Sequence, residues 1–216
     1  DAYKANRPPM PDPLRQNIQR SKEVMQAFDI PIYEVPGYEA DDVLGTIARF
    51  ADEAPVDLII ATGDTDMLQL VSPSVRVLMT SGFGENKLYD VDAVNARYDG
   101  LSPDQVIDVK SLTGDTSDNI PGVGIKTAIK LIQQFDTVEG LLDRVDEVTP
   151  PRIQGLVRDN GDQLRASKVL VTIARDAPAG FELDAARFGT FDRNNVVAIF
   201  QELEFSSLVP RIPQTA

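Results

Sequence analysis

The 216-residue sequence contains no cysteine and no histidine. Without cysteine, the chain has no disulfide, no zinc-thiolate site and no thiol nucleophile, which fits a reducing compartment. Without histidine, it lacks the commonest general base and transition-metal ligand, and it cannot form a Ser-His-Asp triad. No apolar run approaches the roughly 20 residues of a membrane-spanning helix. Any catalysis must therefore use carboxylates, lysine, tyrosine, hydroxyl groups or hard metal ions.

The chain is acidic, with a formal net charge of −13 at pH 7. By itself this argues against a nucleic-acid partner, because nucleic-acid-binding proteins usually carry a basic balance. Carboxylates that bind divalent cations are neutralised by them, however. The distribution of the acids along the chain therefore decides whether a nucleic-acid partner is excluded. The composition, 42% hydrophobic and 25% charged, suits a soluble globular protein of one large or two small domains.

Strand and helix patterns alternate over the first 90 residues. The predicted elements are helices at 13–28, 42–54 and 66–71, strands at 30–35, 56–62 and 75–81, and a short hairpin partner at 86–90. The continuous apolar run 56–62 is typical of a parallel strand that is buried on both faces. Beyond this region only helix patterns follow. The sequence therefore predicts an α/β core with a parallel sheet over residues 1–90 and a helical domain over residues 91–216.

Acidic residues follow two of these predicted strands and recur in a loop between two predicted helices. The three groups are Glu39, Asp41 and Asp42; Asp64 and Asp66; and Asp115 and Asp118. Ligands of open parallel sheets bind beyond the carboxyl ends of the strands, so we expect the first two groups at one edge. Converging carboxylates repel one another and demand counter-cations. Oxygen ligands alone favour Mg²⁺ or Mn²⁺, and a set this rich suits two ions, as in nucleases and polymerases.

A structural explanation of the same acids stays open. Carboxylates at the start of a helix accept hydrogen bonds from free N–H groups and interact favourably with the helix dipole. This explanation applies most strongly to Asp42, at the start of the predicted helix 42–54. The Asp64 and Asp66 pair could equally belong to an ordinary turn.

The segment DNIPGVGIKTAIKLIQQF combines glycines with a following basic helix. Gly122 and Gly124 let the backbone approach a phosphate closely, and the N–H groups at a helix start bind anions. Lys126 and Lys130 add positive charge on one face of the helix that begins near Thr127. Such contacts position a duplex without reading its sequence. An ordinary helix–helix turn would show the same pattern.

The first residues form a basic, proline-rich segment, YKANRPPMPDPLRQ. Lys4 and Arg7 could grip single-stranded nucleic acid by charge, next to the aromatic ring of Tyr3. Most charges of this kind are simply solvated, so the segment by itself favours neither interpretation.

Together, these segments resemble the 5′ nuclease family, and within it the 5′→3′ exonuclease domains of bacterial DNA polymerases I. The matching stretches are YKANRPPMPDPLRQ, VPGYEADDVLGT, ATGDTDMLQLV, LTGDTSDNIPGVG and LEFSSLV. The resemblance implies a structure-specific nuclease that removes 5′ ends or flaps from DNA, including RNA primers, in replication and repair. It also implies a Rossmann-like, PIN-like core, followed by a DNA-binding domain with a helix-hairpin-helix (H3TH) element at 111–135.

The resemblance also implies roles for individual residues. The seven acids named above become ligands of two Mg²⁺ or Mn²⁺ ions, with Asp64 central to catalysis. Lys4 and Arg7 lie at the foot of a helical arch, whose remnant is residues 1–28, and contact the scissile phosphate. The hairpin residues that hold the duplex, around a K⁺ ion, are Gly122, Gly124, Lys126, Thr127 and Lys130. The implied partners are 5′-flap, nicked or branched DNA and a polymerase domain in the same parent chain, with no membrane, in the bacterial cytoplasm at the nucleoid.

The sequence departs from the family pattern in two places. Two strands that each carry an aspartate are missing from the start, so we expect a fragment whose sheet is incomplete and whose activity is poor. The hairpin PGVGIKTA is about three residues shorter than the polymerase-type hairpin and resembles that of flap endonucleases. Two other functions stay open: a Mg²⁺-dependent phosphohydrolase, suggested by IIATGDTD, and a DNA-junction binding module without activity.

Overall fold

The computed structural model describes residues 9–80, 84–114 and 123–214. The chain forms two compact units, one made of Asp1–Glu34 with Ala179–Ala216 and the other of Val35–Pro178. The division near residue 90 that the sequence suggests stays a prediction, as does the assignment of residues 1–28 to a helical arch. None of the described helices combines the length and the apolar character that a membrane crossing requires.

The described residues contain nine α-helices, three strands and several short 3₁₀ helices. The α-helices are α1 (Asp12–Ala27), α2 (Ala40–Glu53), α3 (Val91–Arg97), α4 (Val106–Thr113), α5 (Ile125–Phe135), α6 (Val138–Asp143), α7 (Pro151–Asp159), α8 (Gly161–Val171) and α9 (Arg193–Glu202). The strands are β1 (Leu58–Thr62), β2 (Val75–Met79) and β3 (Lys87–Tyr89). The 3₁₀ helices are Thr65–Leu70, Pro103–Gln105, Val145–Glu147, Asp184–Ala186 and Val209–Arg211.

The three strands form one sheet in the order β1-β2-β3. β1 and β2 are parallel, with Leu58 opposite Val75, and β2 and β3 are antiparallel. The predicted strands at 56–62 and 75–81 and the hairpin partner at 86–90 are therefore confirmed. The prediction that 56–62 is buried on both faces is wrong, because within β1 only Ile60 is buried and Ile59 is 51% exposed. β1 lies at one edge of the described sheet, and the face that carries Ile59 is left open.

The predicted strand at 30–35 is wrong, because these residues form no strand. Pro31 has no N–H group to offer a neighbouring strand. Tyr33 instead packs against the ring of Phe181, with 5.7 Å between the ring centroids, and Glu34 forms an ion pair with Lys22. The first acidic group therefore follows an extended segment and a turn, and it belongs to the start of α2.

The core of the unit Val35–Pro178 holds the acid-bearing 3₁₀ helix Thr65–Leu70 in place. Met67 and Leu68 of that helix are fully buried, next to the interior-facing residues of β2. Removing a side chain of this size from water stabilises the fold by about 1.5–3 kcal/mol. The 3₁₀ helix, whose first residues follow β1 directly, is therefore firmly anchored.

The other unit has a smaller core, built on aromatic rings. Phe28 contacts Phe191 edge-on, with ring centroids 5.0 Å apart. The ring centroid of Phe200 lies 5.9 Å from that of Phe28. Val196 of α9 is fully buried among them. The predicted helix at 13–28 is confirmed as α1, and α9 is one of the helices predicted beyond residue 90.

Candidate functional site

The second acidic group lies directly after β1, at the carboxyl end of the strand. Asp64 accepts a hydrogen bond at Oδ1 from the Asp66 N–H, 2.8 Å away, and its own N–H donates to Thr62 Oγ1. This turn, in which an aspartate caps the backbone two residues on, starts the 3₁₀ helix. The sequence placed Asp64 and Asp66 at this edge of the sheet, and the structure has them there.

The first acidic group starts α2 through a reciprocal pair of hydrogen bonds. Asp42 Oδ2 accepts from the Glu39 N–H at 2.9 Å, and the Glu39 carboxylate accepts from the Asp42 N–H. Asp42 Oδ1 also accepts from the Ala174 N–H at 3.0 Å. The capping explanation that stayed open for Asp42 is therefore confirmed. Both of its carboxylate oxygens already hold backbone N–H groups.

A cation that sequence reasoning missed lies beside the second group. Lys110 of α4 places Nζ 2.5 Å from Asp66 Oδ1 and 2.8 Å from Thr65 Oγ1. The ammonium group neutralises one carboxylate of the acidic edge and fixes its direction. No local sequence signal points to Lys110, because Asp66 and Thr65 lie on another element of the chain.

The structure does not gather the described acids into one cluster. Within residues 9–80, 84–114 and 123–214, no three carboxylates lie close enough together to hold a metal ion. Four of the carboxylates are engaged by protein donors instead: those of Glu39 and Asp42 by the α2 capping bonds, that of Asp64 by the Asp66 N–H, and that of Asp66 by Lys110. Asp115, Asp118, Lys4, Arg7 and Gly122 lie outside the described residues. The convergence of all seven acids therefore stays a prediction.

The described half of the hairpin presents a basic, open helix start. Gly124 is the N-cap of α5, and no side chain of the described residues caps it. Lys126 and Lys130 are exposed and four residues apart, hence on one face, while Thr127 is half-buried. A Cβ added at Gly124 would meet no atom of the described residues, and the φ there is −88°, so the described part of the fold does not require glycine. The room above Gly124 suits an approaching phosphate.

Two family models match consecutive parts of the chain. The 5′-3′ exonuclease N-terminal resolvase-like domain matches residues 1–99, and the 5′-3′ exonuclease C-terminal SAM fold matches residues 101–194. The chain belongs to the 5′-3′ exonuclease family. The first model covers the α/β part of the chain, and the second covers most of the helical part.

Bacterial DNA polymerases I are among the relatives of this chain. The DNA polymerase I of Chloroflexus aurantiacus is 48% identical over 220 residues, which cover 98% of this chain and 23% of that protein. The DNA polymerase I of Bacillus subtilis is 39% identical over 214 residues, which cover 97% of this chain and 24% of that protein. The chain therefore spans about a quarter of the length of the curated relatives it matches.

Two solved structures share the fold of this chain. The T5 D15 protein co-crystallised with metal ions matches with a TM-score of 0.66 at 18% identity, covering 93% of this chain and 76% of that chain. The catalytic core of Rad2 in complex with a DNA substrate matches with a TM-score of 0.57 at 16% identity, covering 91% and 68%. The predicted fold, a mixed α/β core followed by a helical domain, is confirmed.

Proposed function

We propose that the protein is a structure-specific 5′→3′ exonuclease and 5′-flap endonuclease that hydrolyses DNA phosphodiesters with the help of divalent metal ions. The observation that carries the proposal is the position of Asp64 and Asp66, which directly follow β1 at the edge of the sheet where α/β proteins bind ligands. Membership of the exonuclease family, and relatives named DNA polymerase I, support the same activity. The protein would then act in primer removal during replication and in repair, in the bacterial cytoplasm.

The residues fit divalent metal ions by the chemistry of their donors. The proposed ligands are Glu39, Asp41, Asp42, Asp64, Asp66, Asp115 and Asp118. All are carboxylates, which favour Mg²⁺ or Mn²⁺ over softer metals. When bound, two such ions would activate water and balance the charge of the reacting phosphate. A solved T5 5′-exonuclease with zinc ions bound supports dependence on divalent metals.

The protein's own groups prepare this edge of the sheet. Lys110 holds one oxygen of Asp66 and compensates part of the acidic charge. Asp64 keeps its carboxylate at the end of β1 through its bond to the Asp66 N–H. Each of these carboxylates therefore has its direction set before any ligand arrives, while the positive charge of Lys110 opposes a bound cation.

The DNA duplex would be held by the start of α5. Gly124 leaves room for a phosphate, Lys126 and Lys130 supply charge, and Thr127 lies at the same helix start. We place Gly122 and a K⁺ ion in the same proposed element, and Lys4 and Arg7 at the scissile phosphate. The proposed substrates are 5′-flap, nicked or branched duplexes, with a polymerase domain as a partner in the parent chain. The Rad2 core in complex with a DNA substrate supports a DNA ligand.

A second candidate is a DNA-junction binding module without activity. One observation favours it: the described carboxylates bond to backbone groups and to Lys110, and no three of them form a metal-binding group within the described ranges. A binding module would recognise the same branched DNA through α5 without cutting it.

The experiment that separates these functions is a cleavage assay on a 5′-flap duplex with Mg²⁺ or Mn²⁺, run beside a small phosphate ester. The test variant is Asp64→Asn, which keeps an oxygen for the capping bond but loses the charge. The matched control is Asp90→Asn, because Asp90 caps α3 in the same way, through the Ala93 N–H. We expect Asp64→Asn to lose cutting by about 100-fold or more while it still binds the flap in Ca²⁺, and Asp90→Asn to cut normally. Flap binding without cutting by the wild type would favour the module, and ester hydrolysis alone would overturn both.

A further inference from the structure

We propose that residues 171–177, here called the strap, set the position of α2 relative to the 3₁₀ helix Thr65–Leu70, and that Thr46 and Gln69 are positioning residues for the candidate metal site. The proposal rests on the proposed function. The strap begins at Val171, the last residue of α8, and its residues 172–177 form no helix or strand. It contacts both described segments that carry the acids, although it carries none of the predicted ligands itself.

The first contact joins the strap to the 3₁₀ helix through one buried side chain. Gln69 is 6% exposed. Its Nε2 donates to the Val171 carbonyl at 2.9 Å, and its Oε1 accepts from the Ile173 N–H at 3.0 Å. The amide thus satisfies both the donor and the acceptor of the strap backbone, as a neighbouring strand would. Because the pair is buried, losing either bond would leave an unsatisfied polar group, at a cost of about 1–3 kcal/mol.

The second contact joins the strap to one face of α2. The Ala174 N–H donates to Asp42 Oδ1 at 3.0 Å, and the Ala177 N–H donates to Thr46 Oγ1 at 2.9 Å. Thr46 in turn donates to the Asp42 carbonyl at 2.8 Å. A Cβ added at Gly45 would lie 2.6 Å from the Ala174 carbonyl oxygen, so only glycine lets the helix and the strap approach this closely.

These two contacts link the acidic groups. Glu39 is the N-cap of α2 and Asp41 lies in its first turn, while the 3₁₀ helix begins after Asp64 and carries Asp66. A metal site tolerates errors of only about 0.2 Å in its ligand distances. Groups that orient the ligands without touching the ion therefore change metal affinity, typically by about 10–100-fold. The strap is bonded to both ligand-bearing segments, so it fixes the spacing between them.

A strap that only stabilises the fold would behave differently from one that positions ligands. Loss of a purely structural contact lowers the unfolding temperature but leaves metal affinity unchanged at temperatures where the protein stays folded. Loss of a positioning contact weakens metal binding in the folded protein as well. The two roles are therefore separated by measuring the metal affinity of variants whose folding is verified at the same temperature.

The test compares Thr46→Val, which removes the acceptor of the Ala177 N–H at nearly constant shape, with Thr46→Ser, which restores it. The matched control is Thr137→Val, because Thr137 Oγ1 also accepts a backbone N–H, from Gly140, at the start of α6. Mn²⁺ affinity is measured by electron paramagnetic resonance, and cutting of a 5′-flap duplex is resolved into kcat and KM. Circular dichroism verifies that each variant is folded.

We expect Thr46→Val to bind Mn²⁺ about tenfold more weakly, with a lower kcat and an unchanged KM for the flap. Thr46→Ser should recover wild-type values, and Thr137→Val should lose stability alone. Equal Mn²⁺ affinity of folded Thr46→Val and the wild type would overturn the strap proposal, whereas a wild type that neither binds Mn²⁺ nor cuts would overturn the proposed function. If Thr46→Val does not fold, Thr46→Ala tests the same proposal with the same outcomes, because it removes the same acceptor of the Ala177 N–H with a smaller side chain.

Discussion

Replacing Lys168 with methionine should remove the charge that ties three helices together. Lys168 of α8 places Nζ 2.6 Å from Asp108 Oδ1 on α4 and 2.6 Å from Glu139 Oε2 on α6. Asp108 Oδ1 also accepts from the Val138 N–H, at the start of α6, at 2.8 Å. Burial alone would lower the pKa of Lys168, but the hydrogen bonds to the two carboxylates outweigh it and raise the pKa. The ammonium group is therefore charged and bonded to both carboxylates at neutral pH.

The size of the effect follows from the exposure of the three side chains. The Asp108 side chain is 6% exposed and that of Lys168 is 24% exposed, so this pair is mostly shielded from water. Removing one partner of a buried pair costs about 3–5 kcal/mol, because the other charge is left without compensation. Asp108 keeps its bond to Val138, which favours the lower end, about 3 kcal/mol. The pair with Glu139, whose side chain is 56% exposed, adds little.

The assay is thermal unfolding at pH 7, followed by calorimetry. For a chain of this length, about 3 kcal/mol lowers the unfolding temperature by about 6–12 °C. The matched control is Arg165→Met on the same helix, whose pair with Asp162 has side chains that are 58% and 106% exposed. It should change stability by less than about 0.5 kcal/mol. A Lys168→Met protein that unfolds within about 2 °C of the wild type would refute the reasoning.

Three further predictions concern pH, metal binding and DNA binding. The hydrogen bond from Lys168 lowers the pKa of Glu139 below its ordinary value of 4.5, so the contribution of this pair to stability is complete above pH 4.5 and is lost as the pH falls through the lowered pKa. The difference in unfolding temperature between wild type and Lys168→Met should therefore shrink in thermal melts at acid pH, and a difference that grows would contradict this. Lys110→Met should raise Mn²⁺ affinity about fivefold in a titration, because it removes a positive charge that repels the ion, and two unit charges about 4 Å apart interact by about 1 kcal/mol in water. Weaker binding would show that Lys110 mainly orients Asp66. Gly124→Ala should weaken binding of a 5′-flap duplex in fluorescence anisotropy without lowering the unfolding temperature, and a lower unfolding temperature would mark the glycine as structural.

Patterns of neighbouring residues predicted most of the elements. The apolar runs of β1 and β2 and the helical spacing of α2 and α5 each follow from side chains that meet one core. The segment 30–35 misled because an apolar pattern does not show whether a strand has a partner. Its Tyr33 packs against Phe181, which is distant in the sequence.

The candidate site was predictable in its acids but not in the groups that hold them. Asp64 followed from its place after a strand, and the capping role of Asp42 from its place at a helix start. Lys110 pairs with Asp66 on another element, and Gln69 and Thr46 bind a strap more than 100 residues further along the chain. Such pairings depend on tertiary packing, and no local spacing of residue types encodes them.

The central claim is that acids from separate segments hold divalent ions at one edge of the sheet. Its most direct test is a Mn²⁺ titration of the wild type and of Asp64→Asn, with the number and affinity of bound ions read by electron paramagnetic resonance. The account predicts two ions in the wild type, in line with two-metal nucleases, and the loss or strong weakening of at least one in Asp64→Asn. The same number of ions, bound with the same affinity by both proteins, would contradict it.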